Sequence, residues 1–173
     1  MNPRAEQILR ELHLLDAGVV AEGAARGWLS HDAVLAFATA ALAGGNLRDE
    51  VVELALREYQ GTQHTVGILR RWASDLGLPS ASAVEATRRW MFAALTAIVE
   101  SADDPEHTLD AIEEAFATLG YPDEMRVCSR YYTPPEDIAR GLGVGDYTAD
   151  PFQATIELLQ RLRVQMGVVT DSR

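Results

Sequence analysis

Three times in this sequence an Asn or Asp, a helix-capping residue, stands directly before a proline: Asn2-Pro3, Asp104-Pro105 and Asp150-Pro151. The first residue of such a pair can accept a hydrogen bond from an open N–H of the first helical turn. The proline then takes a position where no N–H is needed. Each pair predicts a helix start. The stops are as plain. Gly27, Gly44-Gly45, Gly61, Gly77 and Gly120 follow runs of apolar residues at helical spacing, and Pro79 and Pro122 interrupt whatever helix precedes them. These marks cut the chain into pieces of helix length, and none of the pieces alternates apolar and polar residues as a strand would.

Within the pieces the apolar residues recur at three and four. Ile8, Leu9, Leu12 and Leu15 form the face of the first helix. Asp16 caps a second helix through Val19 and Val20, and Ser30 caps a third lined by Val34, Phe37, Ala38, Ala41 and Leu42. A fourth runs from about Arg48 to Tyr59 with Val51, Val52, Ala55 and Leu56 inward. A fifth runs from about Gln63 to Leu76 on Val66, Leu69, Trp72 and Leu76. The sixth, from near Ser82 to about Ser101, is the longest and most apolar. Its broad face (Ala83, Thr87, Trp90, Met91, Ala94, Leu95, Ile98 and Val99) predicts a central helix contacted on more than one side. Arg88 and Arg89 just before it read as a solvated pair.

The seventh helix starts at Asp104-Pro105, buries Leu109, Ile112, Phe116 and Leu119, and stops at Gly120. Pro122 opens a short helix, and Tyr131 to Pro135 is expected to be extended. Residues 136–149 read as a loop or a single turn. The last helix opens at Asp150-Pro151 with Phe152, Ile156, Leu159, Leu162 and Met166 inward, and the tail frays from about Gly167. The fold class expected is all-α. One domain over residues 1–173 would hold about seven to nine helices, in a bundle or a short solenoid-like stack.

Few functional classes survive the composition. The net charge of −11 argues against nucleic acid or an anionic membrane as the main partner, because both need clustered positive charge. No apolar run is long enough to span a bilayer, and the first residues lack a signal-peptide core. Cys128 is the single cysteine, which fits a reducing compartment. The expected location is cytoplasmic. All 15 basic residues are Arg, a pattern of genome composition rather than of mechanism.

Catalytic groupings are missing. His13, His31, His64 and His107 each lack a second His or Cys at metal-ligand spacing, so no metal or cofactor is expected. Cys128, beside Val127, reads as a packed thiol rather than a nucleophile. Ser30, Ser82 and Ser129 lack a nucleophile-elbow context, and Gly141 to Gly145 lack the strand, helix and lysine of a phosphate loop. An enzyme would have to assemble distant histidines and acids in one pocket.

Charge is concentrated in one place. From Asp103 to Met125 there are eight carboxylates and no Arg. Glu106, Asp110 and Glu113 fall on one line of the seventh helix, with Glu114 beside it, more than a quarter turn from the apolar stripe. Like charges at this spacing cost a few tenths of a kcal/mol per pair, about the size at which a use for them becomes plausible.

Several short motifs resemble the bacterial domain-of-unknown-function family 2247. They are Arg88-Arg89-Trp90-Met91, Asp104-Pro105, Ile112-Glu113-Glu114-Ala115-Phe116, Tyr121-Pro122-Asp123-Glu124-Met125 and Arg130-Tyr131 with Pro134, and more weakly Gly27-Trp28-Leu29-Ser30. The resemblance covers most of residues 15–135, and its later half is the specific part. The family carries acids where this chain has Thr118 and Gly120, so the surface differs there. Similar families are encoded beside polymorphic toxins as immunity proteins. The resemblance therefore implies a protein that binds and neutralises one toxin domain with a basic surface. Glu106, Asp110, Glu113, Glu114, Asp123, Glu124, Tyr131 and Tyr132 are the candidate contacts. A general helical adaptor explains the composition equally well.

Overall fold

Asp16, Ser30, Asp104 and Asp150 each cap a helix in the computed structural model, which describes residues 3–56, 60–75, 81–132 and 150–168. Their side chains accept from the N–H groups of Val19, Ala33, His107 and Phe152 at 3.0, 3.2, 3.0 and 2.9 Å. Ser82 does the same for Glu85 at 3.2 Å. Every regular element among the described residues is a helix, and the protein is all-α. The helices are α1 (Pro3–Glu11), α2 (Ala17–Ala25), α3 (His31–Ala43), α4 (Asp49–Leu56), α5 (Thr62–Asp75), α6 (Ala83–Glu100), α7 (Pro105–Thr118), a 3-10 helix (Asp123–Cys128) and α8 (Pro151–Gln165). None of them is long and apolar enough to cross a membrane. The chain divides into two compact units, Met1–Ala93 and Ala94–Arg173, with the division inside α6.

In the first unit α2 packs along α5 and α3 against α4. α2 is buried almost throughout, and its tightest contact is with Trp90 of α6. The indole N–H of Trp90 donates to the carbonyl of Val19 at 3.0 Å. Its ring lies on Gly23, where an added Cβ would stand 2.8 Å from Trp90 and 3.1 Å from Leu29. Only glycine admits that approach. Trp28 meets Trp90 edge-on, with centroids 5.9 Å apart. The chain is brought there by the end of α2: the N–H groups of Trp28 and Leu29 both donate to the Gly23 carbonyl, at 2.7 and 3.1 Å, past Gly27 at φ 69°. Phe37, half-buried on α3, packs on Trp72 of α5 at 5.1 Å.

Several expectations are corrected here. Leu14 is buried while Leu12 and Leu15 are half-buried. α1 ends early because His13 takes the left-handed conformation (φ 55°), which lets the Leu14 N–H return to the Leu9 carbonyl at 2.8 Å. No glycine marks that stop. On α4, Val51 and Leu54 are buried while Leu56 is 71% exposed. Arg89 is not a solvated charge. Its guanidinium donates to the Leu14 carbonyl at 3.0 Å and to Asp16 at 2.8 Å, and it also pairs with Glu85. It ties the start of α6 to the turn that caps α2. The expectation for α6 holds in its middle, where the six residues from Trp90 to Leu95 are all buried, while Ala83 is exposed and Thr87, Ile98 and Val99 are half-buried.

In the second unit the buried stripes are turned from those expected. α7 buries Thr108, Ile112, Ala115 and Leu119, leaving Leu109 and Phe116 half-buried. α8 buries Thr155, Leu158 and Leu162, leaving Phe152, Ile156, Leu159 and Met166 half-buried. Thr108 and Thr155 can be buried because each hydroxyl donates one turn back, to the carbonyls of Asp104 (2.7 Å) and Pro151 (2.8 Å). Small residues at these places let the 3-10 helix, through Met125 and Cys128, come close to α8. α7 ends as Gly120 predicted. The N–H of Gly120 (φ 80°) donates to Ala117 and that of Tyr121 to Phe116, and the two rings of Tyr121 and Phe116 meet at 5.1 Å. Leu76, residues 136–149 and the tail beyond Val168 lie outside the described residues.

Gly23→Ala should destabilise the protein by about 1–3 kcal/mol through overpacking against Trp90. Denaturant unfolding checks this, with an unchanged slope and a lower midpoint expected.

Candidate partner-binding site

Glu106, Asp110 and Glu113 occupy one side of α7, as their spacing requires, and residues 129–131 fold against them. Glu113 is half-buried. One of its oxygens accepts the backbone N–H of Arg130 at 2.7 Å and the other the hydroxyl of Ser129 at 3.2 Å. The Ser129 oxygen in turn accepts the Tyr131 N–H at 3.2 Å, and its carbonyl accepts the Tyr132 N–H at 3.1 Å. Tyr131 is therefore in a turn, not in the extended conformation expected of it. The Arg130 guanidinium reaches back over α7 to Glu106 at 3.5 Å and Asp110 at 2.5 Å.

Energetics separates these contacts. The Glu106 and Asp110 side chains are 80% and 68% exposed, so their ion pairs are solvent-screened and contribute little. Glu113 holds the turn through charge-assisted hydrogen bonds in a half-buried place, and these are the stronger kind. The Arg130 guanidinium meets two carboxylates, Glu106 and Asp110, and Glu113 is held by an uncharged amide and hydroxyl, so two negative charges are left over, and the exposed Glu114 adds another. Tyr131 is 78% exposed beside this surplus, its ring 5.9 Å from the Arg130 guanidinium carbon. Asp123 turns to Arg126 at 2.8 Å rather than to Arg130, and Glu124 and Tyr132 are half-buried. The structure thus brings together Glu106, Asp110, Glu113 and Tyr131, with Glu114 alongside.

The Ser129 and Arg130 contacts leave no mark in the sequence. They join residues 16 to 24 positions apart, and no local pattern announces such a contact. Tyr121, 64% exposed in the left-handed region at φ 57°, carries no sequence signal beyond that of a turn.

Two groups near this surface have shifted proton affinities. Asp104 is held below its ordinary value of 3.8, mainly by the His107 amide it caps, with help from the His107 ring and the Glu106 amide and against some desolvation. Its contribution to the start of α7 is present above the usual aspartate range and is lost as pH falls through the lowered value. Cys128 is pushed up by burial, an effect that Glu113 reinforces and that the Thr155 hydroxyl and Arg161 partly offset. A groove of about 380 Å³ lies between the starts of α7 and α8, rimmed by Asp103, Asp104 and Asp150. Two of those carboxylates are already used as caps. Among the described residues no group of three or more His, Cys, Asp or Glu side chains could hold a metal ion. His64 lies 3.4 Å from Glu53, and His107 lies 3.9 Å from Asp104.

Residues 6–162 match the model of a family described as uncharacterized proteins conserved in bacteria (DUF2247). No curated protein and no solved structure matches the chain.

Glu113→Ala should cost about 1–2 kcal/mol, because the Arg130 N–H and the Ser129 hydroxyl lose a charged acceptor. Glu114→Ala, which removes an exposed side chain, should stay within about 0.5 kcal/mol of the parent. Unfolding curves of the two variants measure the difference. Cys128 should react with iodoacetamide far more slowly in the folded protein than in denaturant. Because its pKa is raised, that rate should climb only at a pH above that of an ordinary free thiol, as mass spectrometry across a pH series would show.

Proposed function

The chain belongs to the DUF2247 family, proteins conserved in bacteria, and on that premise we propose that it is an immunity-like protein. It binds a bacterial toxin domain bearing a basic surface and blocks it, acting in the cytoplasm. The observation that carries this reading is Tyr131, 78% exposed and held in a turn beside carboxylates that outnumber the basic residues among them. An exposed tyrosine gives a partner a large amphipathic contact at low entropic cost. The surplus charge on Glu106, Asp110 and Glu114 draws in a basic surface and orients it. Glu113 and Arg130 act indirectly: they position the turn. This changes which residues test the surface. Reversing Glu113 would disturb the fold, whereas Glu114 and Tyr131 can be changed without removing a structural hydrogen bond of their side chains.

The test is co-expression with the toxin domain encoded by the adjacent gene. The parent protein should restore growth, and the purified pair should associate with a rate that falls as salt is added. Tyr131→Ala combined with Glu114→Arg should weaken binding by about 30-fold with unchanged unfolding. An adjacent gene without a toxin domain would overturn the reading. So would toxicity undiminished by the folded parent, or an affinity the double variant leaves intact.

A further inference from the structure

We propose that the first unit holds a site for a small zwitterion, a free α-amino acid with an apolar side chain, between α2, α5 and the start of α6. A groove of about 400 Å³ lies there, within the size range of small-molecule sites. Its walls are small: Gly18 and Ala21 of α2, Ala73 of α5, and Ala81 and Ala83 at the start of α6. Two charged residues line it as well, Glu22 and Arg70.

Glu22 is the unusual one. It is 7% exposed, in a helix whose other buried residues are Ala17, Val19, Val20, Ala21, Gly23 and Ala24. A buried carboxylate is costly unless its oxygens are paired. One oxygen accepts from Arg26 at 2.9 Å, and that guanidinium is 52% exposed and also drawn over the Trp28 ring at 5.8 Å. The other oxygen takes no hydrogen bond from a protein group among the described residues, and it is not one of the buried side-chain atoms left without a partner, so it stays open to the groove. Arg70 is exposed, and its guanidinium pairs with no acid among the described residues, Glu22 included. Opposite charges thus line one groove without neutralising each other.

An α-amino acid supplies what each lacks. Its ammonium donates to the open oxygen of Glu22, its carboxylate accepts from Arg70, and an apolar side chain lies against the alanine methyls. A ligand with one charge would leave the other group unmet. This site lies in a different unit from the acidic surface on α7 and does not rest on the toxin reading.

The experiment titrates the full chain calorimetrically with L-leucine, L-phenylalanine, L-valine and L-methionine, each also as its amide and its N-acetyl form. One or more free amino acids should bind one-to-one and raise Tm by about 3–5 °C at ten times Kd. The amide lacks the carboxylate and the N-acetyl form lacks the ammonium, and each should bind at least about tenfold more weakly. Glu22→Gln and Arg70→Gln should each lose at least about tenfold in affinity. Arg70 is exposed, so Arg70→Gln keeps the fold and reads the site even where Glu22→Gln does not fold. No saturable binding by any free amino acid overturns the proposal. Equal binding of the capped forms, or undiminished binding by Arg70→Gln, overturns it too.

Discussion

The contact on which the first unit depends is Trp90 seated on Gly23. It needs a missing side chain on α2, an acceptor at Val19, and a helix end that returns Trp28 to the same place. Each part supports the others. Gly27 in the left-handed region turns the chain, the turn sends two N–H groups back to the Gly23 carbonyl, and the two tryptophans then meet edge to face. A glycine inside a helix ordinarily weakens it by up to about 1 kcal/mol relative to alanine. Burying an indole against it can return more than that, because a fully buried large side chain contributes on the order of 1.5–3 kcal/mol.

The second unit is held by smaller parts. Threonines whose hydroxyls bond back into their own helices allow close packing without an unsatisfied polar group. The Gly120 stop and the Phe116–Tyr121 ring contact set the direction in which the chain leaves α7. Glu113 then receives it seventeen residues later at Arg130. The acidic line therefore has two natures. Glu113 is architecture, while Glu106, Asp110 and Glu114 remain in water and keep charge that the fold does not consume.

Buried charge divides the molecule differently from exposed charge. Arg89 is half-buried, and its two terminal guanidinium nitrogens are bonded while its Nε is not, so it reads as a structural tie. Glu22 is more deeply buried, with one oxygen on Arg26 and the other open to the groove.

Alone, the sequence determined the all-α class, the caps at Asp16, Ser30, Asp104 and Asp150, the stops at Gly27 and Gly120, and the burial of the middle of α6 on more than one side. These follow from local chemistry: which side chains can accept an open N–H, which residue tolerates positive φ, and how many apolar residues crowd one helix. It misjudged the end of α1, because a histidine took the place of a glycine, and the buried faces of α7 and α8, because threonine and alanine hide as readily as leucine when a neighbour comes close. It placed Glu106, Asp110 and Glu113 on one line but could not separate their roles. Only the tertiary structure decided that Glu113 would hold the turn at Arg130, that Arg89 would reach Asp16, and that Glu22 would line a groove. Those contacts join residues far apart in the chain, and the burial that gives them their energy exists only once the helices have packed.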